Sequence, residues 1–248
     1  MTTITALPQP ATVSVVLTVT PTGTVTSIMR TDANGTNPVR TQAGLLPTAS
    51  PFVVTDNEAT LTGPILYTVQ DGGAGASVTT ALNVDGQVWL TVPVAPGKSL
   101  QVELNTNAQT TRASLSTVHE VIDRADPIVT LAPLKLRTGT LELWCSTYEQ
   151  GRALEQLYDR GDVVQLRQDV PGLDMYHVTT QTSLTPASDT SPRRWFLGVD
   201  FQEVAYPLGN QVGTLGWDFN DVAAAYSTFT AVQVTYATFN DLTIGPLP

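Results

Sequence analysis

Apolar and polar positions alternate in short runs along most of this chain. From Val13 onward the segments VSVVLTV, TVTSIMRT, NPVRT, FVVTD, ILYTVQ, SVTTALNV and QVWLTV are rich in β-branched and aromatic residues, and the alternation is clearest around Val84 to Leu90. Turn signals separate them. Asn34-Gly35 and Asp85-Gly86 are the strongest, because a two-residue hairpin loop of type I′ needs positive φ at both central residues. Six or seven such strands in the first 93 residues, with no helical stretch, predict an antiparallel β-sandwich of immunoglobulin or fibronectin type III character. The paired cysteines of antibody domains are absent, so the likeness is one of architecture.

Beyond Val92-Pro93 the pattern changes. Residues 100–104 (LQVEL), 117–122 (TVHEVI), 127–131 (PIVTL) and 138–144 (TGTLELW) read as strands. A helix over 146–160 follows: Ser146 stands as N-cap with Glu149 three residues later, Ala153, Leu154, Leu157 and Tyr158 form an apolar stripe, and Gly161 supplies the stop. Strands resume at 163–167 (VVQLR), 175–182 (MYHVTTQT) and 195–204 (WFLGVDFQEV). Strands gathered around one helix predict a second β domain over 94–208, of split-barrel form. The whole is expected to be mainly β.

The last stretch, 209–248, repeats itself. Phe219, Phe229 and Phe239 stand ten residues apart, and Tyr226 and Tyr236 keep the same interval. At about 100° per residue a ten-residue repeat drifts roughly 80° around a helix, so one long helix is excluded. A linker followed by an arm of short local units fits better. Asp218 and Asp221 bracket Phe219-Asn220, and Thr238 and Asp241 bracket Phe239-Asn240, like helix starts with a cap; the middle copy from Thr228 keeps the cap without the acid. Val232-Gln233-Val234 favours β structure, so helical turns are expected at the two ends and an extended middle between them. Trp217, Phe219, Tyr226, Phe229, Tyr236 and Phe239 are the candidate protein-contact residues of this arm. Attachment to a neighbouring chain is favoured over folding back, because terminal segments stay mobile unless tied down.

Composition supports the β assignment and narrows the chemistry. About one residue in six is Thr, and Gly plus Pro supply 35 of the 248 residues. A net charge of −10 with only 12 Lys and Arg argues against nucleic acid. No run of 18 apolar residues occurs, and the start lacks the basic and small-residue features of a signal peptide, so a soluble protein without a membrane segment is expected. The single Cys145 excludes an intrachain disulfide and reads as a buried strand thiol.

No catalytic or cofactor motif emerges. His119 and His177 sit in separate strands without ligands at metal spacing, and Gly72-Gly73-Ala74-Gly75 lacks the helix and Lys of a phosphate loop. Asp169 with Asp174, and Asp200 with Glu203, are carboxylate pairs that turn chemistry and solvent-facing strand positions explain. Trp144 and Trp195 have apolar neighbours and are expected in the core. No catalytic, metal or cofactor site is therefore assigned, and the protein is expected not to be an enzyme.

The segment VHEVIDRADPIVTLAPLKLRTGTLELWCSTYEQGRALEQLYDRGDVVQLRQDVPG, followed by DMYHVTTQTSLTPASDTSPRRWFLGVDFQEVAYP, resembles the minor tail proteins of long-tailed phages that infect actinobacteria, a family similar in plan to distal tail proteins. The residues carrying it are Arg124 with Asp126-Pro127, Arg137-Thr138-Gly139-Thr140-Leu141, Gly161 before 163–167, and Arg193-Arg194-Trp195 leading to Val204-Ala205-Tyr206-Pro207. Met29-Arg30-Thr31-Asp32 with Asn34-Gly35 and Pro38-Val39-Arg40 extend it to the first domain, and the aromatic repeats extend it to the end. The resemblance implies a structural virion protein at the distal end of the tail, made in the host cytoplasm. It would form a homo-oligomeric ring, expected to be a hexamer, adapting the tail tube protein to the hub and tip proteins, with the tape measure protein as a further neighbour. The competing classes are a carbohydrate-binding adhesion module of the tail and a wall-degrading hydrolase.

Overall fold

The computed structural model describes residues 1–41, 46, 50–72, 74–106, 110–120, 122, 125–159, 161–170, 172–187, 194–207, 226, 228 and 231–233. These residues are mainly β, in several antiparallel sheets. They divide into two units by contact. One takes its described residues from 1–101, 160–175 and 206–248, the other from 102–159 and 176–205.

In the first unit β1 (Thr3–Gln9), β2 (Ser14–Thr20) and β5 (Phe52–Asp56) form an antiparallel sheet in the order β1-β2-β5. A second sheet runs β4-β3-β6-β7, from β3 (Val25–Asp32), β4 (Gly35–Pro38), β6 (Ile65–Asp71) and β7 (Ala74–Thr80). Strand periodicity places Val15, Leu17 and Val19 of β2 and Ile65, Tyr67 and Val69 of β6 on inward faces, and all six are fully buried in one shared core. Pairs of this kind remove apolar surface at about 25 cal/mol per Å², which is what holds the two sheets face to face. β8 (Val88–Thr91) pairs antiparallel with β13 (Val164–Arg167) in the same unit.

The sequence expectations need several corrections here. A strand precedes the first one expected at Val13: Thr3 to Gln9 pair with Thr20 to Ser14 without a break. The Asn34-Gly35 turn does close the β3–β4 hairpin, but only Gly35 takes positive φ, at 100°; the loop residues are Ala33-Asn34, and the Asp32 carboxylate accepts from the Asn34 N–H at 2.9 Å. Gly86 also takes positive φ, at 67°, but β8 does not return on β7; it pairs β13 instead. The alternating stretch from Val84 is therefore a loop until Val88, with the Val84 N–H donating to the Leu61 carbonyl at 3.0 Å.

Charged side chains occupy the middle of this unit. Arg30 on β3 is 1% exposed and points inward beside Ile28. Its guanidinium meets Asp56 of β5 at 2.9 and 3.1 Å and Asp32 at 2.9 Å, while the Tyr67 hydroxyl of β6 donates to Asp56 at 2.8 Å. The network thus ties one sheet to the other. Arg167 of β13 is fully buried and donates to the main-chain carbonyls of Val13 and Asn57, each at 2.8 Å, and to that of Ala59. Those carbonyls belong to chain that leaves the sheet ladders, so the guanidinium supplies the donors that regular pairing would have supplied.

In the second unit β12 (Thr138–Cys145) pairs β15 (Trp195–Val204), which pairs β14 (Met175–Pro186); β12 also pairs β9 (Leu100–Thr106) through Leu104 and Glu103. Leu141, Leu143, Cys145, Leu197, Val199 and Phe201 face inward and are buried. The helix α1 (Tyr148–Tyr158) lies against β12 and β15. Its N-cap is Thr147 rather than Ser146: the Thr147 hydroxyl accepts from the Gln150 N–H at 3.2 Å, and the Gln150 side chain accepts from the Ser146 N–H at 2.8 Å. The buried stripe is Gly151, Leu154, Leu157 and Tyr158, with Ala153 exposed. A Cβ at Gly151 would come within 2.6 Å of the end of the Leu184 side chain on β14, so the helix packs closely there and a larger residue would displace that side chain.

Two outcomes follow for the first unit. Arg167→Met takes this donor from the buried carbonyls of Val13 and Ala59 and the part-buried one of Asn57, and is expected to cost about 3–5 kcal/mol, read as a lowered denaturant midpoint. The second concerns acid. Burial raises the Asp56 pKa, but the Arg30 charge, the Glu58 N–H and the Tyr67 hydroxyl outweigh it, and the carboxyl ends below its usual value. The Asp71 carboxyl is also lowered, first by the Thr2 hydroxyl and, against burial, by the N–H groups of Thr22 and Gly23. Carboxyls lowered on folding contribute stability above their unfolded value, near pH 4, and lose it as pH falls through the folded value. Asp174 runs the other way, because burial raises it and its protonation relieves the fold. The unfolding temperature is expected to decline below about pH 4, and Asp56→Asn to start lower and decline less steeply; equal slopes in the two proteins would remove Asp56 from the acid response.

Candidate interaction surface

Between β9 and β12 the chain leaves the second unit's sheet as a two-stranded ribbon. β10 (Thr117–His119) and β11 (Ile128–Thr130) pair antiparallel, with Val118 opposite Val129 and His119 opposite Ile128. Bridges at Ser114–Leu134 and Thr111–Thr138 continue the pairing to the root. All six strand residues are exposed. So are Leu115, Ile122, Leu131, Leu134 and Leu136, with Ile122 at 92% and Leu131 at 83%.

Such a ribbon could be limp, but its root is built. The Arg137 guanidinium donates to both Glu203 oxygens at 2.9 and 2.8 Å, the Arg137 N–H donates to the same carboxylate at 2.8 Å, and the Glu203 N–H returns to the Arg137 carbonyl at 2.8 Å. Burial pushes the Glu203 pKa up, but these bonds prevail and hold it below the usual range. Thr111 and Thr138 exchange both main-chain hydrogen bonds, at 2.8 and 2.9 Å. Higher up, the Ser116 hydroxyl accepts from the Ala132 N–H at 2.9 Å and donates to the Ala132 carbonyl at 3.2 Å, and Arg112 Nε donates to the Lys135 carbonyl at 2.9 Å. The ribbon is thus held at its base and along its length while its apolar side chains stay open.

The residues weighed for chemistry are engaged in structural bonds. Asp169 accepts from the Gly86 N–H at 3.0 Å, and Asp174 accepts from the Gln168 N–H and the Asn34 side-chain amide, each at 2.7 Å. Asp200 accepts from the Thr140 hydroxyl, and Glu203 holds Arg137. His119 stands exposed on the ribbon; His177 is buried between Tyr158 and Phe201. Cys145 is buried, and burial pushes its thiol pKa up. Among the described residues no three His, Cys, Asp or Glu side chains gather as a metal site, and no helix is long and apolar enough to cross a membrane.

Trp144 and Trp195 are half-buried rather than in the core, because Leu143, Cys145 and Leu197 take the inward positions. Trp144 meets Phe196 in a tilted ring contact at 4.1 Å, has the Arg194 guanidinium 5.6 Å from its ring centre, and donates its indole N–H to Asn105 at 2.7 Å. Trp195 meets Tyr148 edge-on at 5.1 Å.

Of the arm residues, Trp217, Phe219, Phe229, Tyr236 and Phe239 lie outside the described residues; Tyr226 is half-buried. The Thr228 hydroxyl accepts from the Ala231 N–H at 3.2 Å, as a cap should. Residues 231–233 are helical, which corrects the extended middle expected there, and Val232 is buried. One cap bond and one covered apolar side chain outweigh the β preference of valine.

The sequence pattern predicts ordinary strands over 117–122 and 127–131, and the structure sets β10 and β11 out as an open ribbon instead. The available signal was the lack of alternation: Val118, Ile128, Val129 and Leu131 put apolar groups on both faces of a short ribbon flanked by Pro127 and Pro133. Compared with known proteins, the sequence matches no protein-family model and no curated protein.

Proposed function

We propose that this chain is a non-enzymatic assembly protein, a structural subunit of a phage tail tip that closes with copies of itself into a ring. The observation that carries the proposal is the ribbon of β10 and β11, with the apolar side chains of its described residues uncovered. Monomeric proteins seldom leave a contiguous apolar patch of more than a few hundred Å² in water, whereas assembly subunits need one. The engagement of Asp169, Asp174, Asp200 and Glu203 in structural bonds supports the non-catalytic part. The resemblance to minor tail proteins supplies the location. On this reading the two-sheet unit is an immunoglobulin-like sandwich, the second unit is distal-tail-like, and the neighbours are the tail tube and the hub or tip proteins.

Glycan adhesion is less well supported. Trp144 already has Phe196 and Arg194 about its ring, which competes with stacking on a sugar.

Mass photometry of the purified full chain is expected to show one closed multimer, with no activity on bacterial cell-wall material. A monomer with measurable glycan affinity would favour adhesion instead. Removal of residues 209–248 is expected to leave the strands of both units folded, with some loss of stability in the first unit because Val232 is buried, and to weaken assembly; a truncated chain that assembles as the full chain does would take the arm out of the interface.

A further inference from the structure

The ribbon presents an unsolved problem to the isolated chain. Two strands alone are marginal in water, and here neither strand has a further partner strand among the described residues. Val118 and Val129 stand opposite each other on one face, and Ile128 with His119 on the other, so one covering layer on its own molecule would not bury both. Eight large aliphatic side chains are exposed: Leu115, Val118, Ile122 and Ile128, then Val129, Leu131, Leu134 and Leu136. At roughly 100 Å² each they offer on the order of 800 Å², the share that one partner brings to a standard interface.

Charge indicates what covers them. With Arg137 already neutralised by Glu203 at the root, the rest of segment 110–137 holds three basic and three acidic residues and is neutral, while the chain as a whole is −10. A neutral, apolar ribbon that carries an exposed Lys135 meets no like-charge repulsion on the acidic body of another copy, and its area matches what one copy brings to such a contact.

We propose that the ribbon of residues 110–137 docks on the body of a second copy of this chain, its aliphatic side chains forming the dry centre of the contact and Lys135 meeting acidic groups at the rim. Ribbon to body is a heterologous contact, each copy giving one patch and receiving another, and such contacts generate rings when the rotation closes. The inference rests on the assembly reading above, of which it names the contact. The Arg137–Glu203 clamp fixes the ribbon's root before docking, which lowers the entropy lost on binding.

The test uses the full chain carrying Val118→Asp with Ile128→Asp, and separately Lys135→Glu. All three positions are exposed, so unfolding temperature and circular dichroism should match the unsubstituted protein. In sedimentation velocity over a concentration series, the double variant is expected to weaken association at least tenfold, and Lys135→Glu about threefold at low salt with a smaller effect at high salt. A photo-cross-linking residue at position 118, in a mixture of light- and heavy-isotope chains, should give cross-links between copies. Three results would overturn the inference: unaltered association of the double variant, a wild-type chain that stays monomeric at every concentration, or cross-links confined to one copy. Cross-links to residues 208–248 of the same copy would identify the chain's own end as the cover. A two-fold dimer abolished by the double variant would uphold the ribbon contact and sink the ring; a ring that survives the variant would do the reverse.

Discussion

The contact between Arg30 and Asp56 joins the two sheets of the first unit, and much of that unit is arranged to make it tolerable. A guanidinium and a carboxylate out of water each forfeit several kcal/mol of hydration, which their attraction offsets only when the remaining donors and acceptors are filled. Here they are filled from three directions. Asp32 reaches the guanidinium, Tyr67 donates from the second sheet, and the Glu58 N–H closes on Asp56 from the chain just beyond β5. An aliphatic pair makes no directional demand, whereas this network is satisfied only where Arg30, Asp56 and Tyr67 come within hydrogen-bond distance of one another across the sheets.

Arg167 applies the same logic to irregular backbone. The segments at Val13 and at 57–59 carry carbonyls that have left the ladders, and one guanidinium gathers three of them. Gln165, two residues earlier on the same strand, donates to the Glu58 carbonyl at 3.1 Å. A short strand far along the sequence therefore completes loops near its beginning. Asp71 does comparable work at the opposite end of the unit, where Thr2, Thr22 and Gly23 converge on one carboxylate.

The ribbon inverts this arrangement. Where the first unit buries charge and satisfies it, the described residues of the ribbon carry aliphatic groups outward and are held through the backbone and the root. Both features are costly to a lone chain for reasons of solvation, and they differ in remedy. Buried charge is answered within the chain by Tyr67, Asp32 and main-chain groups, whereas exposed aliphatic surface is answered only by another surface. That difference is why the assembly reading takes its support from the ribbon rather than from the arm, whose described residues include a buried Val232.

Local pattern was enough for most of the strands. The strand 195–204 and the core of 138–144 follow from alternation and β-branched content, and the helix follows from its cap, stripe and Gly161, because those signals act within a few residues. Small shifts such as Thr147 for Ser146 reflect two adjacent hydroxyls of nearly equal capping strength. Partner choice was beyond reach of local pattern. Nothing near Gly86 tells that β8 seeks β13 about 75 residues later, and nothing near Arg30 tells that its inward position is paired rather than an error in register. Trp144 faces outward for the same reason, since its strand's inward face is settled by Leu143 and Cys145 only once β15 lies beside it. Residue-level propensities and periodicity reach across one element; long-range pairing, burial of charge and the exposure of the ribbon depend on which elements meet, and only the folded chain decides that.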